Sequence, residues 1–174
     1  KGKHTSNPTP TTISQCHTYR IGVVGASKTG KTRLSILFSQ GVYSDTYTYE
    51  ETIEDVYSKE MTLNMKDFYE QQGVEDSNHS VDITVKLEIV DTAGNPENEA
   101  MFEIQWSSMD GFLLMYDATN RQSLTDLETY YKKIVDARRD AKLGSVPMVL
   151  VCSKIDVEQP LWSSEEGAKL ARQW

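Results

Sequence analysis

One octapeptide constrains this chain more than any other stretch: Gly25-Ala26-Ser27-Lys28-Thr29-Gly30-Lys31-Thr32 fits G-x-x-x-x-G-K-[ST] without exception. The pattern acquires meaning from its flanks. Tyr19 to Val24 (YRIGVV) is a short apolar run stopped by Gly25, and Lys31 to Gln40 sets Leu34, Leu37 and Phe38 at helical spacing with Gly41 behind them. A strand that feeds a tight loop and opens a helix lets Gly25 and Gly30 wrap the backbone closely. Successive amides and the helix N-terminus then point at phosphate groups. Lys31 brings a positive charge to the terminal phosphates, and the Thr32 hydroxyl is placed to ligate Mg²⁺. A chance glycine loop between a strand and a helix is the weaker reading, given this context.

The rest of the chain supplies a sheet for this loop. Val56 to Met65 alternates in polarity, and Val81 to Val90 (VDITVKLEIV) alternates more strictly, so the two pair as antiparallel neighbours. KDFYEQQGVEDSNHS between them is acidic and long for a hairpin, and reads as a mobile excursion over 66–80. Gly111 to Tyr116 (GFLLMY) and Val146 to Cys152 (VPMVLVC) are unbroken apolar runs, as in parallel strands covered on both faces. Ser123 and Asp126 make a capping-box-like start for a helix that carries Leu124, Leu127, Tyr131, Ile134 and Val135 and ends before Gly144. Ser163 to Glu166 opens a second helix, SSEEGAKLARQW. The alternation predicts an α/β fold with a mostly parallel central sheet, helices on both faces and one antiparallel hairpin partner strand, with ligands at the carboxyl ends of the strands. Residues 1–18 are rich in Ser, Thr, Pro and Lys and read as a disordered N-terminal tail ahead of a domain over 19–174.

Composition removes other classes. With 18 Lys+Arg against 26 Asp+Glu the net charge is -8, the wrong sign for neutralising a nucleic-acid backbone. No window approaches the roughly 18 apolar residues that span a bilayer. Cys16 and Cys152 are the only cysteines, too few for a disulfide framework or a four-cysteine zinc site, and they fit a reducing compartment.

Two further elements sharpen the chemistry. Asp91-Thr92-Ala93-Gly94 follows the alternating strand, where a carboxylate beside a phosphate loop anchors Mg²⁺ and a glycine lets its amide approach a γ-phosphate. Val151-Cys152-Ser153-Lys154-Ile155-Asp156 ends a buried strand with Lys154 and Asp156 two apart. A carboxylate there accepts both the ring N–H and the exocyclic amine of guanine, an arrangement adenine does not offer. Each fragment alone suits an ordinary strand-ending turn; together with the loop they select guanine.

At these residues the chain resembles the Ras-like small GTPases, over Tyr19 to Trp174. GASKTGKT, YEETIEDVY, DTAG, GFLLMYDATN and VPMVLVCSKID fall in family order, and TIEDVY looks like the effector segment of the Ras subfamily. The resemblance implies a P-loop GTPase fold that binds GTP or GDP with Mg²⁺. Gly25, Ala26, Ser27, Lys28, Thr29, Gly30, Lys31, Thr32, Tyr43, Thr52, Gly94, Ser153, Lys154 and Asp156 would hold the nucleotide, and Thr32, Thr52 and Asp91 the metal. Lys31, Thr52 and Asn95 would serve hydrolysis. Tyr43 stands where the family stacks an aromatic ring on guanine, Lys154 would cover the base and Asp156 would read it. GTP would order two switches, about Tyr43 to Tyr57 and Asp91 to Ser107.

The chain also departs from the family. Asn95-Pro96 replaces the Gln that orients the attacking water; Asn is one methylene shorter and the proline biases it toward extended backbone. Slow intrinsic hydrolysis follows, aided by an activating protein that supplies an Arg. Ser153 replaces the Asn that ties the guanine motif to the phosphate loop, and keeps only part of its hydrogen bonds. Ser27 and Lys28 stand where Ras itself has glycines. The 66–80 insertion has no counterpart. Further, the family fold has a last strand and helix after the point reached by Trp174, about 20 to 25 residues by ordinary element lengths. The sequence is thus expected to be an incomplete record, and membrane association would reside in that absent C-terminal segment.

The leading expectation is a monomeric GTP-dependent switch, in the cytoplasm or at the cytoplasmic face of a membrane, served by effector proteins, an activating protein and a nucleotide exchange factor. The alternative is a nucleotide-binding interaction module, a pseudo-GTPase with little turnover. A P-loop kinase or ATPase would call for an Arg-rich lid segment, which this sequence lacks, and gives no account of S-K-I-D.

Overall fold

The computed structural model describes residues 16–42, 54–65, 82–94 and 105–174. The apolar run before the phosphate loop forms β1 (His17–Val24), exposed at His17 and fully buried at Val23 and Val24. Then come α1 (Lys31–Gln40), β2 (Glu54–Asn64), β3 (Asp82–Thr92), β4 (Gly111–Asp117), α2 (Arg121–Asp140), β5 (Met148–Ser153) and α3 (Ser164–Gln173). The strands make one sheet in the order β2-β3-β1-β4-β5, mostly parallel with one antiparallel pair. β1 lies parallel to β4 with Val23 opposite Leu113, and β4 parallel to β5 with Asp117 opposite Ser153.

Strand geometry sends successive side chains to opposite faces, and each face has its helices. Val24, Val90, Leu114 and Tyr116 pack under Leu124, Leu127, Tyr130 and Ile134 of α2, joined by Trp106 and Met109. Val23, Ile89 and Met115 pack on the other side against Leu34 and Phe38 of α1. The chain divides into two compact units, Lys1–Thr18 with Glu60–Lys86 and Tyr19–Lys59 with Leu87–Trp174. Among the described residues the first includes Glu60 to Asn64 of β2, Asp82 to Lys86 of β3 and the start of β1. The candidate site lies in the second.

Element ends differ from the sequence pattern for local reasons. β1 opens two residues early, inside the stretch assigned to the tail, because His17 and Thr18 are exposed and leave no apolar trace. β3 runs through Asp91 and Thr92, so these two lie in the strand and not after it; the Thr92 hydroxyl donates to the Val23 carbonyl at 2.8 Å. α2 is capped by Asn120, whose side chain accepts from the Gln122 amide at 3.0 Å. Ser123 is not the cap, since its buried hydroxyl accepts from the Asp117 amide at 3.0 Å and donates to the Asn120 carbonyl at 2.6 Å. β5 begins at Met148, after Pro147, which has no N–H for a ladder. In α3 the expected capping box is complete: Ser163 Oγ accepts from the Glu166 amide at 3.1 Å and Glu166 Oε2 from the Ser163 amide at 2.8 Å. β2 does not turn its alternation into an inside and an outside. It is an outer strand, with Val56 52% exposed.

Candidate functional site

The phosphate loop is built by its own backbone. Gly25 has φ 151°, and a Cβ there would lie 2.2 Å from the Met115 carbonyl oxygen, so no other residue fits between β1 and β4 at this point. Thr29 is buried and its hydroxyl donates to the Ala26 carbonyl at 2.9 Å, which closes the turn. Lys28 holds the left-handed region at φ 65°. Lys31 is buried, and its Nζ donates to the carbonyls of Gly25 at 2.8 Å and Ala26 at 3.0 Å. Burial lowers its pKa to about 8, against the opposing pull of the Asp91 carboxylate. α1 starts at Gly30 with no capping side chain and no acidic residue in its first turn. Its first amides thus have no side-chain acceptor at the cap, which favours an anion.

The end of β3 meets this loop. A Cβ on Gly94 would lie 2.4 Å from the Ser27 nitrogen and 2.6 Å from its Cα, and the Gly94 carbonyl accepts from the Ser27 amide at 3.1 Å. One loop amide is therefore committed to Gly94. Asp91 is completely buried, and neither carboxylate oxygen has a hydrogen bond of full geometry among the described residues. Burial raises its pKa to about 6; the Thr32 hydroxyl and the Lys31 ammonium draw it down, and the Asp55 carboxylate pushes it up. A buried carboxylate beside the hydroxyl of Thr32, the last residue of the phosphate loop, is a hard-oxygen donor set that suits Mg²⁺. No cluster of three or more His, Cys, Asp or Glu suited to a metal occurs among the described residues, so phosphate oxygens and hydroxyls would complete such a site.

The base-reading segment is assembled differently. Ser153 ends β5, and its hydroxyl donates to the Tyr116 carbonyl of β4 at 3.0 Å, while the Ala118 amide donates to the Ser153 carbonyl at 3.0 Å. Lys154 follows at φ 56°, and its Nζ lies 2.5 Å from Asp117 Oδ2. Thr119 donates to Asp117 Oδ1 from its amide at 2.8 Å and from its hydroxyl at 2.6 Å. Burial works against ionisation of Asp117, but these bonds from Lys154 and Thr119 outweigh it and hold the carboxyl below the usual range. Asp156 lies in the exposed turn that follows. Sequence reasoning missed Asp117 and Thr119. The signal was available: the apolar run of β4 ends in an acid beside the strand that delivers Lys154.

Tyr43, Thr52 and Asn95 lie outside the described residues, as does the 66–80 insertion. Of the first switch the described part is the start of β2; of the second it is Asp91–Gly94 and 105–107, where Gln105 Nε2 donates to Glu54 Oε2 at 3.0 Å.

A sheet of this order, with a glycine-framed loop between β1 and α1 and a buried carboxylate at the end of the neighbouring strand, defines a P-loop nucleotide-binding domain. The chain matches the Ras family over residues 20–174. It is 36% identical over 156 residues, 89% of its length, to Ras-like protein 1 of Saccharomyces cerevisiae. The chain belongs to the Ras family, whose members bind guanine nucleotides, and it has the P-loop GTPase fold. It spans 43% of the length of that yeast relative.

Proposed function

We propose that this chain is a guanine-nucleotide switch that binds GTP and GDP and hydrolyses GTP slowly. The observation that carries the reading is the convergence of the phosphate loop, buried Lys31 and the buried Asp91 carboxylate at one end of β1 and β3. Lys31 and the first amides of α1 bind and orient the phosphates, Gly25 and Gly94 keep the backbone close, and Asp156 accepts from the two guanine donors that adenine lacks. Thr32, Asp91 and Thr52 would hold Mg²⁺, which would neutralise phosphate charge. Asn95, followed by Pro96, is a poor water-positioning group, so an activating protein that inserts an Arg would govern the rate. Tyr43 would flank the base.

The outer strand β2 carries Glu54 and Asp55. This supports an effector with a basic edge strand that adds to the sheet, alongside an exchange factor. A monomer, in the cytoplasm or at the cytoplasmic face of a membrane, completes the proposal, and the free thiols of Cys16 and Cys152 fit it.

The test is single-turnover hydrolysis of bound GTP with and without a candidate activating protein. Slow intrinsic turnover, accelerated by the partner and lost when the partner's Arg is removed, is expected. GTP retained over hours without acceleration would replace the switch by a binding module with little turnover, the reading that Asn95-Pro96 favours. A chain that retains no guanine nucleotide would remove both.

A further inference from the structure

The base-reading motif needs an anchor, because Lys154 is a non-glycine residue at φ 56° at the start of an exposed turn. Ser153 does not tie it to the phosphate loop; its hydroxyl bonds the Tyr116 carbonyl instead. We propose that Asp117, at the end of β4, is the positioning residue of the guanine site: it holds the Lys154 ammonium and thereby sets the lysine stem where the base docks. The proposal rests on the guanine-nucleotide reading above and adds a residue to that site.

Three observations carry it. Asp117 is opposite Ser153 in the β4/β5 register, so its carboxylate stands beside the residue that follows, and Lys154 Nζ is 2.5 Å from Oδ2. The carboxylate is itself immobilised, with an 8% exposed side chain, both Thr119 donors on Oδ1 and the Asp117 amide on Ser123 Oγ at 3.0 Å. Lys154 is 42% exposed, so its position is not imposed by packing around it. A flexible lysine has a head strongly attracted to water and an apolar stem. Fixing the head on a rigid acid orients the stem as a flat apolar surface for a purine ring. An ordinary exposed ion pair would not have one partner locked by three further hydrogen bonds.

The experiment measures the release of fluorescently labelled GDP from the wild-type chain, Asp117→Asn, Lys154→Ala and the double variant. Asp117→Asn is expected to speed release about tenfold, and Lys154→Ala at least as much. The double variant should be no faster than Lys154→Ala, because Asp117 acts through the lysine. Release from Asp117→Asn within about twofold of wild type overturns the proposal, as does a double variant in which the two effects multiply. Should Asp117→Asn fail to fold, Thr119→Val loosens the same carboxylate. It should speed release severalfold in the wild-type background and not in Lys154→Ala, and equal effects in both would overturn the proposal. A wild type that retains no GDP would defeat the guanine reading as well; a wild type that retains it, with Asp117→Asn unchanged, defeats this inference alone.

Discussion

The phosphate end and the base end of the site are made from different materials. At the phosphate end the backbone does the work: glycines admit close approach, Lys31 folds onto loop carbonyls, and α1 opens without a capping side chain. At the base end side chains reach between strands, Lys154 to Asp117 and Ser153 to Tyr116, and the turn beyond is exposed. α3 supplies the contrast within one molecule. Its N-terminus is closed by the reciprocal Ser163 and Glu166 bonds, which leave those donors satisfied, whereas the corresponding end of α1 presents itself to an anion. A backbone-built end should thus fail abruptly when sterics change, and a side-chain-built end should weaken by degrees.

The largest break is expected from Gly25→Ala. A methyl 2.2 Å from the Met115 carbonyl, at φ 151°, must displace β1 or β4, with a loss of about 3 kcal/mol or more in chemical denaturation. A stable, nucleotide-binding variant would mean the loop is not held as described. Lys31→Ala comes next, with nucleotide affinity reduced roughly a hundredfold, about 3 kcal/mol, because a desolvated charge-assisted contact is lost; equilibrium titration with labelled GDP measures it. The base-end substitution Asp117→Asn, at about tenfold, should fall below it, and the reverse order would contradict the contrast drawn above.

Asp91→Asn sharpens the comparison through pH. The folded pKa is raised to about 6 by burial, above the ~3.9 of an unfolded chain. The folded state therefore holds the proton more tightly, and ionisation costs folding stability above pH 6 but not below pH 4. Without divalent cation, Asp91→Asn should be more stable than wild type by roughly 1–3 kcal/mol at pH 7, and the gap should close as pH falls to 4. Urea denaturation in a chelating buffer gives the difference, and a gap independent of pH would contradict the assignment. The smallest effect is expected at Ser163→Ala, which removes the α3 cap at about 1 kcal/mol and should leave GDP release unchanged.

This contrast also explains what could be read before the fold was known. The phosphate loop is a single octapeptide whose meaning follows from a strand before and a helix after, so Gly25, Lys31 and the topology around them were legible. The α3 cap is equally local, and its four residues announce it. Asp117 and Lys154 lie 37 residues apart and meet only because β4 and β5 pair in one register. Ser123 reads in the sequence as a helix start but is the buried acceptor of the Asp117 amide, with Asn120 as the cap, because the same residue type serves both roles. The exposed face of β2 was hidden for a similar reason: alternation records which strand could bury a face, not which strand ends the sheet.

The central claim, that one end of this site grips phosphates and the other selects guanine, is tested most directly by displacing labelled GDP with unlabelled nucleotides. GTP should compete at concentrations equal to those of GDP, and ATP should require at least about a thousandfold more, since a guanine-reading carboxylate meets no matching donors on adenine. Equal displacement by ATP and GTP would contradict the account.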